Sequence, residues 1–376
     1  MTTDKTFLPG EHPDMAPPAS EVGVYGWVRH NLLSSTTNIV ITVLTIYFLY
    51  LLIPPMLDWI LFNAVFVAES RDDCRVIAAE AGHELGACWA FIGRRFELFV
   101  YGFYPDTERW RVDLSFILMA TALVPILFDK VPFRKPGLWF SLAAPFIIGW
   151  LLIGGMGLAP VPTNLFGGFM LTMVIGVTGI VGSLPLGIVL ALGRQSHMPA
   201  VRMICVAFIE FIRGVPLIAL LFVASTMLNY FLPPGTSFDL LLRVLIMVTL
   251  FSAAYIAEVV RGGLQAIPKG QIEAADAMGL KYWQSMRLII LPQALKISIP
   301  GIVNTFIGLY KDTTLVIIIG LLDLLGIGRA SLADTNWQGL SSEVYIFVAI
   351  FFFISCIAMG RYSLYLEDKL HTGHKR

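Results

Sequence analysis

Long apolar segments recur along this chain, and they constrain its fold more than any other feature. Of the 376 residues, 57% are hydrophobic and 14% are charged, whereas soluble domains carry about 25% charged residues. A helix needs about 20 predominantly apolar residues to cross a bilayer. The candidate spans cover about 38–53, 114–128, 138–153, 165–193, 203–231, 238–261, 300–321 and 344–366. The sequence therefore predicts an all-α integral membrane protein with about eight transmembrane helices.

Several other classes of function are disfavoured by what the sequence lacks. Its net charge is zero, which argues against a nucleic-acid partner. The four cysteines, at positions 74, 88, 205 and 356, have no metal-ligand spacing, so no metal site is predicted. The P-loop pattern G-x-x-x-x-G-K-[ST] is absent, so we expect no ATP site of that kind and no catalytic residues. Any energy source must come from a partner.

The distribution of basic residues predicts the topology. Lys and Arg are concentrated in the loop 262–298 and after the last span, whereas the loops near 156–163 and 232–237 contain neither. The positive-inside rule then places the loop 262–298 and the C-terminus in the cytoplasm. Counting back through eight spans places the N-terminus there as well, and puts residues 56–111 outside.

The same pattern predicts how the chain is divided. Each segment has its own composition, and Pro54-Pro55 is expected to close the first span. The predicted segments are a disordered cytoplasmic segment (1–37), an N-terminal extension with three spans and a large periplasmic loop (38–155, loop 56–111), a five-span core (163–366) and a cytoplasmic tail (367–376).

The large outer loop raises two expectations. The stretch Trp89–Tyr101 is apolar around three charged residues, which predicts an amphipathic helix lying on a surface. Cys74 and Cys88 are 14 residues apart in a segment assigned to the oxidising side. From the sequence alone, a disulfide between these cysteines and two free thiols remain as alternatives.

One polar interruption stands out in the core. It reads Glu273-Ala274-Ala275-Asp276-Ala277-Met278-Gly279, then nine residues, then Ile289-Ile290-Leu291-Pro292. Pro268 precedes a first short helix, with Gln271 and Glu273 expected in its first turn and Gly279 at its C-cap. A second helix is expected over 281–290, ended by Pro292.

This spacing resembles the EAA loop of the membrane subunits of ATP-binding-cassette (ABC) importers. In that family the first short helix docks into a cleft of the cytoplasmic ATPase and transmits its motion to the membrane domain. The alternative is an ordinary cytoplasmic helical hairpin. The resemblance implies that the ATPase-coupling residues are Glu273, Ala274, Ala275, Gly279, Ile289, Leu291 and Pro292.

Charged residues also lie inside two predicted spans. The segment Glu210–Leu217 is similar to the F-x-R-G-x-P-L signature of the polar-amino-acid branch of these importers. Arg213 lies about 15 Å in from the cytoplasmic end of its span, so Glu210 and Arg213 either pair within the helix or meet substrate. Gly214 and Pro216 should loosen or kink this helix. Residues 254–271 match the same branch, and there Glu258 and Arg261 are expected to pair.

A third polar segment, Gly301–Leu315, resembles the family's run P-x-x-x-N-x-F-I-x-x-x-K-D-[ST]-[ST]-L. Asn304, Thr305 and Asp312 share one helix face, since seven or eight residues make about two turns. Asp312 is predicted about 18 Å from the start of its span, near the bilayer midplane, where transporters bind substrate. The alternative is that Asp312 only pairs with Lys311 or Arg213.

The resemblance covers about 165–366 and implies a MetI-like type I ABC importer core of five helices with an N-terminal extension of three spans. That extension is similar to the larger permease subunit of general L-amino-acid uptake systems, at Gly86–Ile92, Phe103–Pro105 and Glu108–Arg111. The implied function is L-amino-acid import across a bacterial inner membrane. The implied partners are a homologous second permease, a cytoplasmic ATPase dimer that binds ATP-Mg, and a periplasmic amino-acid-binding protein; this chain would need no cofactor itself.

Two other classes of function remain as alternatives. An ion-gradient-driven secondary transporter predicts inverted repeats with broken helices in both halves, and no convincing internal repeat is present. A membrane scaffold or sensor would bind an ATPase without conducting anything. Co-purification of an ATPase bound through the loop 262–298 would exclude the secondary transporter. Transport by the reconstituted complex would exclude the scaffold or sensor.

Overall fold

The structure is a computed structural model and describes residues 22–227, 230, 233 and 238–370. Helices dominate the described residues, with one two-residue strand, β1 (Leu322–Asp323). The α-helices are α1 Gly23–Asn31, α2 Thr36–Leu57, α3 Arg71–Glu80, α4 Ala90–Arg94, α5 Phe96–Tyr101, α6 Arg109–Leu127, α7 Arg134–Ile153, α8 Gly168–Arg194, α9 Pro199–Gly214, α10 Leu217–Phe222, α11 Leu240–Gln265, α12 Lys269–Ala277, α13 Tyr282–Ser285, α14 Leu291–Asp312, α15 Leu324–Ser331 and α16 Ser341–Leu370. π-Helical turns are Asp58–Phe62, Val223–Met227 and Met286–Ile290, and 3-10 turns include Asp106–Glu108 and Thr313–Ile319.

Seven helical segments of the described chain are long and apolar enough to cross a membrane. They are Thr36–Phe62, Asp106–Leu127, Arg134–Ile153, Gly168–Arg194, Leu240–Gln265, Tyr282–Ile319 and Ser341–Leu370. An eighth candidate is a broken span, Pro199–Gly214 with Leu217–Met227, whose two halves are bent by 103°. These eight segments follow the order of the eight predicted spans.

The break in the eighth candidate occurs at the predicted position. Val215 has extended backbone (φ −109°, ψ 133°), because a residue before proline is disfavoured in the helical region. Pro216 then serves as the N-cap residue of α10. The expected kink at Gly214–Pro216 is therefore confirmed, and it is a full change of direction.

The chain divides into two compact units, Met1–Ala68 with Asp72–Trp89 and Glu69–Arg71 with Ala90–Arg376. The first unit corrects the expectation that residues 1–37 are disordered, because α1 occupies Gly23–Asn31. Val24, Trp27 and Val28 recur with helical spacing there, which favours an amphipathic helix. Residues 1–21 lie outside the described part of the chain.

The predicted closure of the first span by Pro54-Pro55 is wrong. Helix α2 includes both prolines, ends at Leu57 and is followed directly by the π-helical turn Asp58–Phe62. The prolines lack N–H donors, but their carbonyls still accept a hydrogen bond from the N–H of Asp58. The continuous segment Thr36–Phe62 therefore has 27 residues, enough to span a bilayer.

A disulfide joins Cys74 and Cys88 in the first unit, with their Cα atoms 6.1 Å apart. Both cysteines are fully buried. Backbone hydrogen bonds hold the same region: the N–H of Gly86 donates to the carbonyl of Asn63 over 3.0 Å, and that of Ala87 to Trp59 over 2.8 Å. The structure thus selects the bridged alternative of the two that the sequence left open.

We predict that labelling of the denatured protein with a maleimide will modify two cysteines without reductant and all four with it. Cys205 and Cys356 are the free pair, so they supply the internal reference. A bridge across so short a loop is worth about 3 kcal/mol in the chain-entropy account, so Cys74→Ser should lower thermal stability measurably. Four labels without reductant would contradict the bridge.

The second unit is built on helices α8 and α11. Leu171 and Ile175 of α8 pack with Val244 and Val248 of α11, and all four side chains are buried. Close approach needs a small residue at position 187, because a Cβ there would lie 2.6 Å from Cγ2 of Ile256. Small residues at helix contacts are typical of membrane bundles.

The predicted surface helix over Trp89–Tyr101 is wrong. The described chain has two short helices there, α4 and α5, and two of their aromatic side chains, Phe91 and Phe99, are buried, whereas Phe96 is 55% exposed. Phe91 packs on Trp337 with ring centroids 5.5 Å apart, and Phe99 packs on Phe347 at 5.1 Å. The apolar residues of this stretch therefore face other parts of the second unit, at the ends of α15 and α16, and not a membrane surface.

Candidate coupling loop and translocation pathway

Helix α12, which contains the predicted coupling residues, starts at Lys269 after the N-cap residue Pro268. Gly279 has φ +72°, a left-handed conformation that favours glycine just after a helix, as expected for its C-terminal capping role. Glu273 lies in the second turn and not in the predicted first turn, because the helix begins at Lys269 and not nearer Gln271.

The exposed side of α12 is suited to a partner. Ala275 is 1% exposed and faces inward, whereas Glu273 and Ala274 are exposed. Met278 is 80% exposed and Trp283, just beyond it, 68%. Large apolar side chains left open beside a charged helix indicate an interaction surface.

The second part of the coupling loop departs from the prediction. Pro292 does not end a helix: it lies in the first turn of α14, where a missing N–H is tolerated. The π-helical turn Met286–Ile290 connects α13 directly to α14, which gives the continuous segment Tyr282–Ile319. Ile289 and Leu291 are partly buried on either side of that junction. Movement of α12 and α13 is thus connected by helix to the next span.

An ion-pair cluster centred on Glu258 links three helices near the same end of the bundle. Arg261 donates to both carboxylate oxygens of Glu258, over 2.7 and 2.9 Å. Arg194 of α8 lies 3.1 Å from Glu258, and Arg213 of α9 lies 3.4 Å from it. Arg213 also sits over the ring of Tyr255, 5.5 Å from its centroid.

The cluster confirms one expected pair and corrects another. Glu258 and Arg261 pair as predicted. Glu210 and Arg213 do not pair with each other among the described residues: Glu210 accepts from Arg194 over 2.8 Å, while Arg213 turns to Glu258. Sequence reasoning missed Arg194 as a partner, because it ends α8, 16 positions before Glu210 in the sequence.

Asp312 ends α14 and is partly buried. No ion pair joins it to Lys311 or Arg213, or to any other residue in the part of the chain that the structure describes. Helix α14 begins at Leu291, so Asp312 lies about 32 Å along it. The predicted depth of Asp312, about 18 Å from the cytoplasmic start of its span, stays a prediction.

Asn304 and Thr305 lie two turns before Asp312 on the same helix. Asn304 is exposed, and Thr305 is partly buried with its hydroxyl donating to the carbonyl of Gly301 over 2.9 Å. The helix therefore carries these side chains on neighbouring positions, as the spacing predicts. Their role in substrate binding stays a prediction.

Asp323 is a buried carboxylate that sequence reasoning did not single out. It lies between two spans, is fully buried, and caps α15 by accepting from the N–H of Gly326 over 2.9 Å. Its other carboxylate oxygen, Oδ2, is buried without a hydrogen-bond partner among the described residues. Burial raises the pKa of the Asp323 carboxyl to about 6, against backbone amides that lower it.

We predict that Asp323 makes the protein more stable in mild acid. Its pKa is higher in the folded state than in the unfolded state, where it is 3.8. Its stabilising contribution is thus full below pH 3.8 and lost as the pH rises through about 6. The difference corresponds to about 3 kcal/mol. Asp323→Asn, which keeps the cap, should melt higher than the parent at pH 7.5 and nearly alike at about pH 3.5, below the unfolded pKa; equal melting at both would contradict this.

The described residues contain no group of three or more His, Cys, Asp or Glu side chains arranged to hold a metal ion. The site that they do form combines membrane-spanning helices, a charged cluster between them and an exposed helical loop joined to one span. This arrangement is that of a multi-pass membrane protein with an exposed helical loop suited to a partner.

Comparison with known proteins is consistent with that class. Residues 183–372 match the family model of the binding-protein-dependent transport system inner membrane component. The chain is 47% identical over 95% of its length to the glutamate/glutamine/aspartate/asparagine transport system permease protein BztC of Rhodobacter capsulatus, covering 96% of that protein. It is 49% identical over 92% of its length to the inner membrane amino-acid ABC transporter permease protein YhdY of Escherichia coli, covering 93% of it.

The chain belongs to the family of inner membrane components of binding-protein-dependent transport systems, and is a multi-pass permease subunit. Among solved structures, a crystal structure of an amino acid ABC transporter with histidines covers 54% of this chain and 92% of its own, at 27% identity and a TM-score of 0.49.

Proposed function

We propose that this chain carries L-amino acids from periplasm to cytoplasm as one permease subunit of an ATP-driven importer, working by alternating access. The observation that carries the proposal is the exposed helix α12, with Glu273 and Ala274 on its open side and Gly279 ending it. Two relatives that align over more than nine-tenths of the chain are named as amino-acid permeases, which supports the substrate class.

The proposed complex contains three further kinds of component. A homologous second permease subunit forms a heterodimer with this chain, an ATPase dimer binds ATP-Mg below it, and a periplasmic binding protein delivers the amino acid. ATP binding draws the two coupling helices together and opens the cavity outward, and hydrolysis resets it. This chain performs no chemistry of its own and needs no cofactor.

Asp312, Thr305, Asn304, Arg213 and Glu210 are the proposed pathway residues. A zwitterion leaving water needs a counter-charge for each end. Asp312 has no ion pair among the described residues and is free to meet an ammonium group. Arg213 already contacts Glu258, so it can bind a substrate carboxylate only by exchanging that partner.

The proposed orientation puts both termini and the loop 262–298 in the cytoplasm and the loop 56–111 in the periplasm of a bacterial inner membrane. The cysteine bridge between Cys74 and Cys88 supports this, because disulfides persist outside the cytoplasm. The proposed domains are the extension 38–155, the core 163–366 and the terminal segments on either side.

Reconstitution of the complex in proteoliposomes tests the proposal. Uptake of labelled glutamate, glutamine, aspartate and asparagine should require ATP inside, the binding protein outside, and the ATPase. Uptake driven by an ion gradient without ATP would favour a secondary transporter. ATPase binding without any uptake would favour a scaffold.

A further inference from the structure

A basic cavity opens between the ends of three helices, on the side of the coupling loop. Arg194 ends α8, Arg202 lies in the first turn of α9, and Arg261 lies one turn before the end of α11. The cavity has a volume of about 540 Å³ and no carboxylate in its lining. Its lining residues are Arg194, Gln195, Arg202, Val206, Arg261 and Gln265.

The charge around this cavity is not balanced by the protein. Arg194 and Arg261 are partly neutralised by Glu258, which they share with Arg213. Arg202 is exposed and has no ion pair within the described ranges. Counting Arg202, the cluster holds four arginines against Glu210 and Glu258, an excess of two positive charges.

A second depression adjoins the basic cavity and is apolar on the side of α9. It has a volume of about 680 Å³ and shares Gln195, Arg202 and Val206 with the first; its other lining residues are Ser196, His197, Pro199, Met203 and Ala207. Next to it, Met203 is 68% and Ile204 66% exposed on α9. The combined surface is therefore charged at the helix ends and apolar along the helix.

We propose that this surface binds an anionic phospholipid of the cytoplasmic leaflet, with the phosphate in the basic cavity and the acyl chains along α9. A guanidinium group can donate two parallel hydrogen bonds to two oxygens of one phosphate. Basic pockets between transmembrane helices on the cytoplasmic side bind anionic lipid headgroups. An amino-acid carboxylate matches the charge but not the apolar depression. The lipid matches both halves of the surface, and it secures α9 to α8 and α11.

Binding to the assembled transporter tests this inference independently of transport. The purified complex in detergent is titrated with phosphatidylglycerol or phosphatidylcholine, and retained lipid is counted by native mass spectrometry. Arg202→Gln removes the one arginine without an ion pair there and leaves the Glu258 contacts intact. We expect about tenfold weaker retention of phosphatidylglycerol, with phosphatidylcholine unchanged, and partial recovery in Arg202→Lys.

Lys135→Gln is the matched control, because it removes one exposed positive charge on the same side of the bundle, at the start of α7. It should retain phosphatidylglycerol as the parent does. Equal loss in this variant, or none in Arg202→Gln, would overturn the site. Displacement of the lipid by millimolar inorganic phosphate or glutamate would assign the cavity to a soluble anion instead. Loss of ATPase binding in Arg202→Gln with lipid retention unchanged would assign it to the ATPase.

Discussion

Glu273→Lys and Gly279→Pro are each expected to lower the substrate-stimulated increment of ATP hydrolysis about tenfold or more, toward the unstimulated rate. Both changes affect α12, the exposed helix that we propose to contact the ATPase. The protein itself should still insert and purify, since neither side chain is part of the buried core. In Glu273→Lys the loss therefore reports the contact between subunits, whereas in Gly279→Pro it also reports a change at the end of α12.

The two substitutions act through different physical causes. Proline fixes φ near −65° and has no N–H, whereas Gly279 has φ +72° and donates its N–H to the carbonyl of Asp276 over 2.9 Å. Gly279→Pro must therefore rebuild the end of α12. Glu273→Lys does not change the backbone conformation and reverses one exposed charge. A like-charge contact across an interface costs several kcal/mol.

Substrate-stimulated hydrolysis in proteoliposomes measures both variants. Lys130→Glu is the control, because it reverses an exposed charge in the connection between α6 and α7, away from α12. It should be stimulated like the parent. The stimulation of Gly279→Ala should lie between that of the parent and that of Gly279→Pro, since an alanine in the left-handed region costs about 1 kcal/mol. Normal stimulation in both Glu273→Lys and Gly279→Pro would remove α12 from the mechanism.

The membrane spans could be predicted from the sequence because length and apolarity alone decide whether a segment can cross a bilayer. The helix ends near prolines could not be predicted in the same way. Pro54, Pro55 and Pro292 all lie within continuous helical segments, next to π-helical turns that no propensity scale contains. Pro292 costs little because it lies in the first turn of α14, where backbone N–H groups need no intrahelical partner.

The charged residues show where single-sequence reasoning reaches its limit. Glu258 and Arg261 could be paired because their partner lies three residues away on the same helix. The same rule failed for Glu210 and Arg213, because Arg194 and Glu258 reach them from two other helices. Phe91 was placed on a surface for a similar reason: it packs on Trp337, which lies 246 positions further along the sequence.

Thr305→Glu is expected to shift uptake by the reconstituted complex toward arginine and lysine. The resemblance to the polar-amino-acid branch implies Glu at position 305, two turns before Asp312, in members that prefer cationic substrates, and this chain has Thr305 there. A second carboxylate there favours a substrate with a second positive charge, whereas a hydroxyl leaves the site open to neutral and acidic amino acids.

The matched variant is Thr305→Gln, which has the size of glutamate without its charge and should keep the parent's profile. Competition of labelled glutamine uptake by unlabelled amino acids measures the shift. The hydroxyl of Thr305 is bonded to its own helix, at the carbonyl of Gly301, so loss of that bond is common to both variants and cancels in the comparison. Equal profiles for Thr305→Glu and the parent would mean that residue 305 does not face substrate.

Asp312→Asn is expected to weaken uptake of every substrate by about tenfold or more, because the substrate ammonium loses its counter-charge on entering a site with little water. A merely structural Asp312 would have an ion pair to lose, and none is present among the described residues. Asp312→Glu keeps the charge and should retain most uptake, and binding-protein affinity should be unchanged throughout. Normal transport by Asp312→Asn together with an unshifted Thr305→Glu would place the pathway on another face of α14, since the two residues share this one.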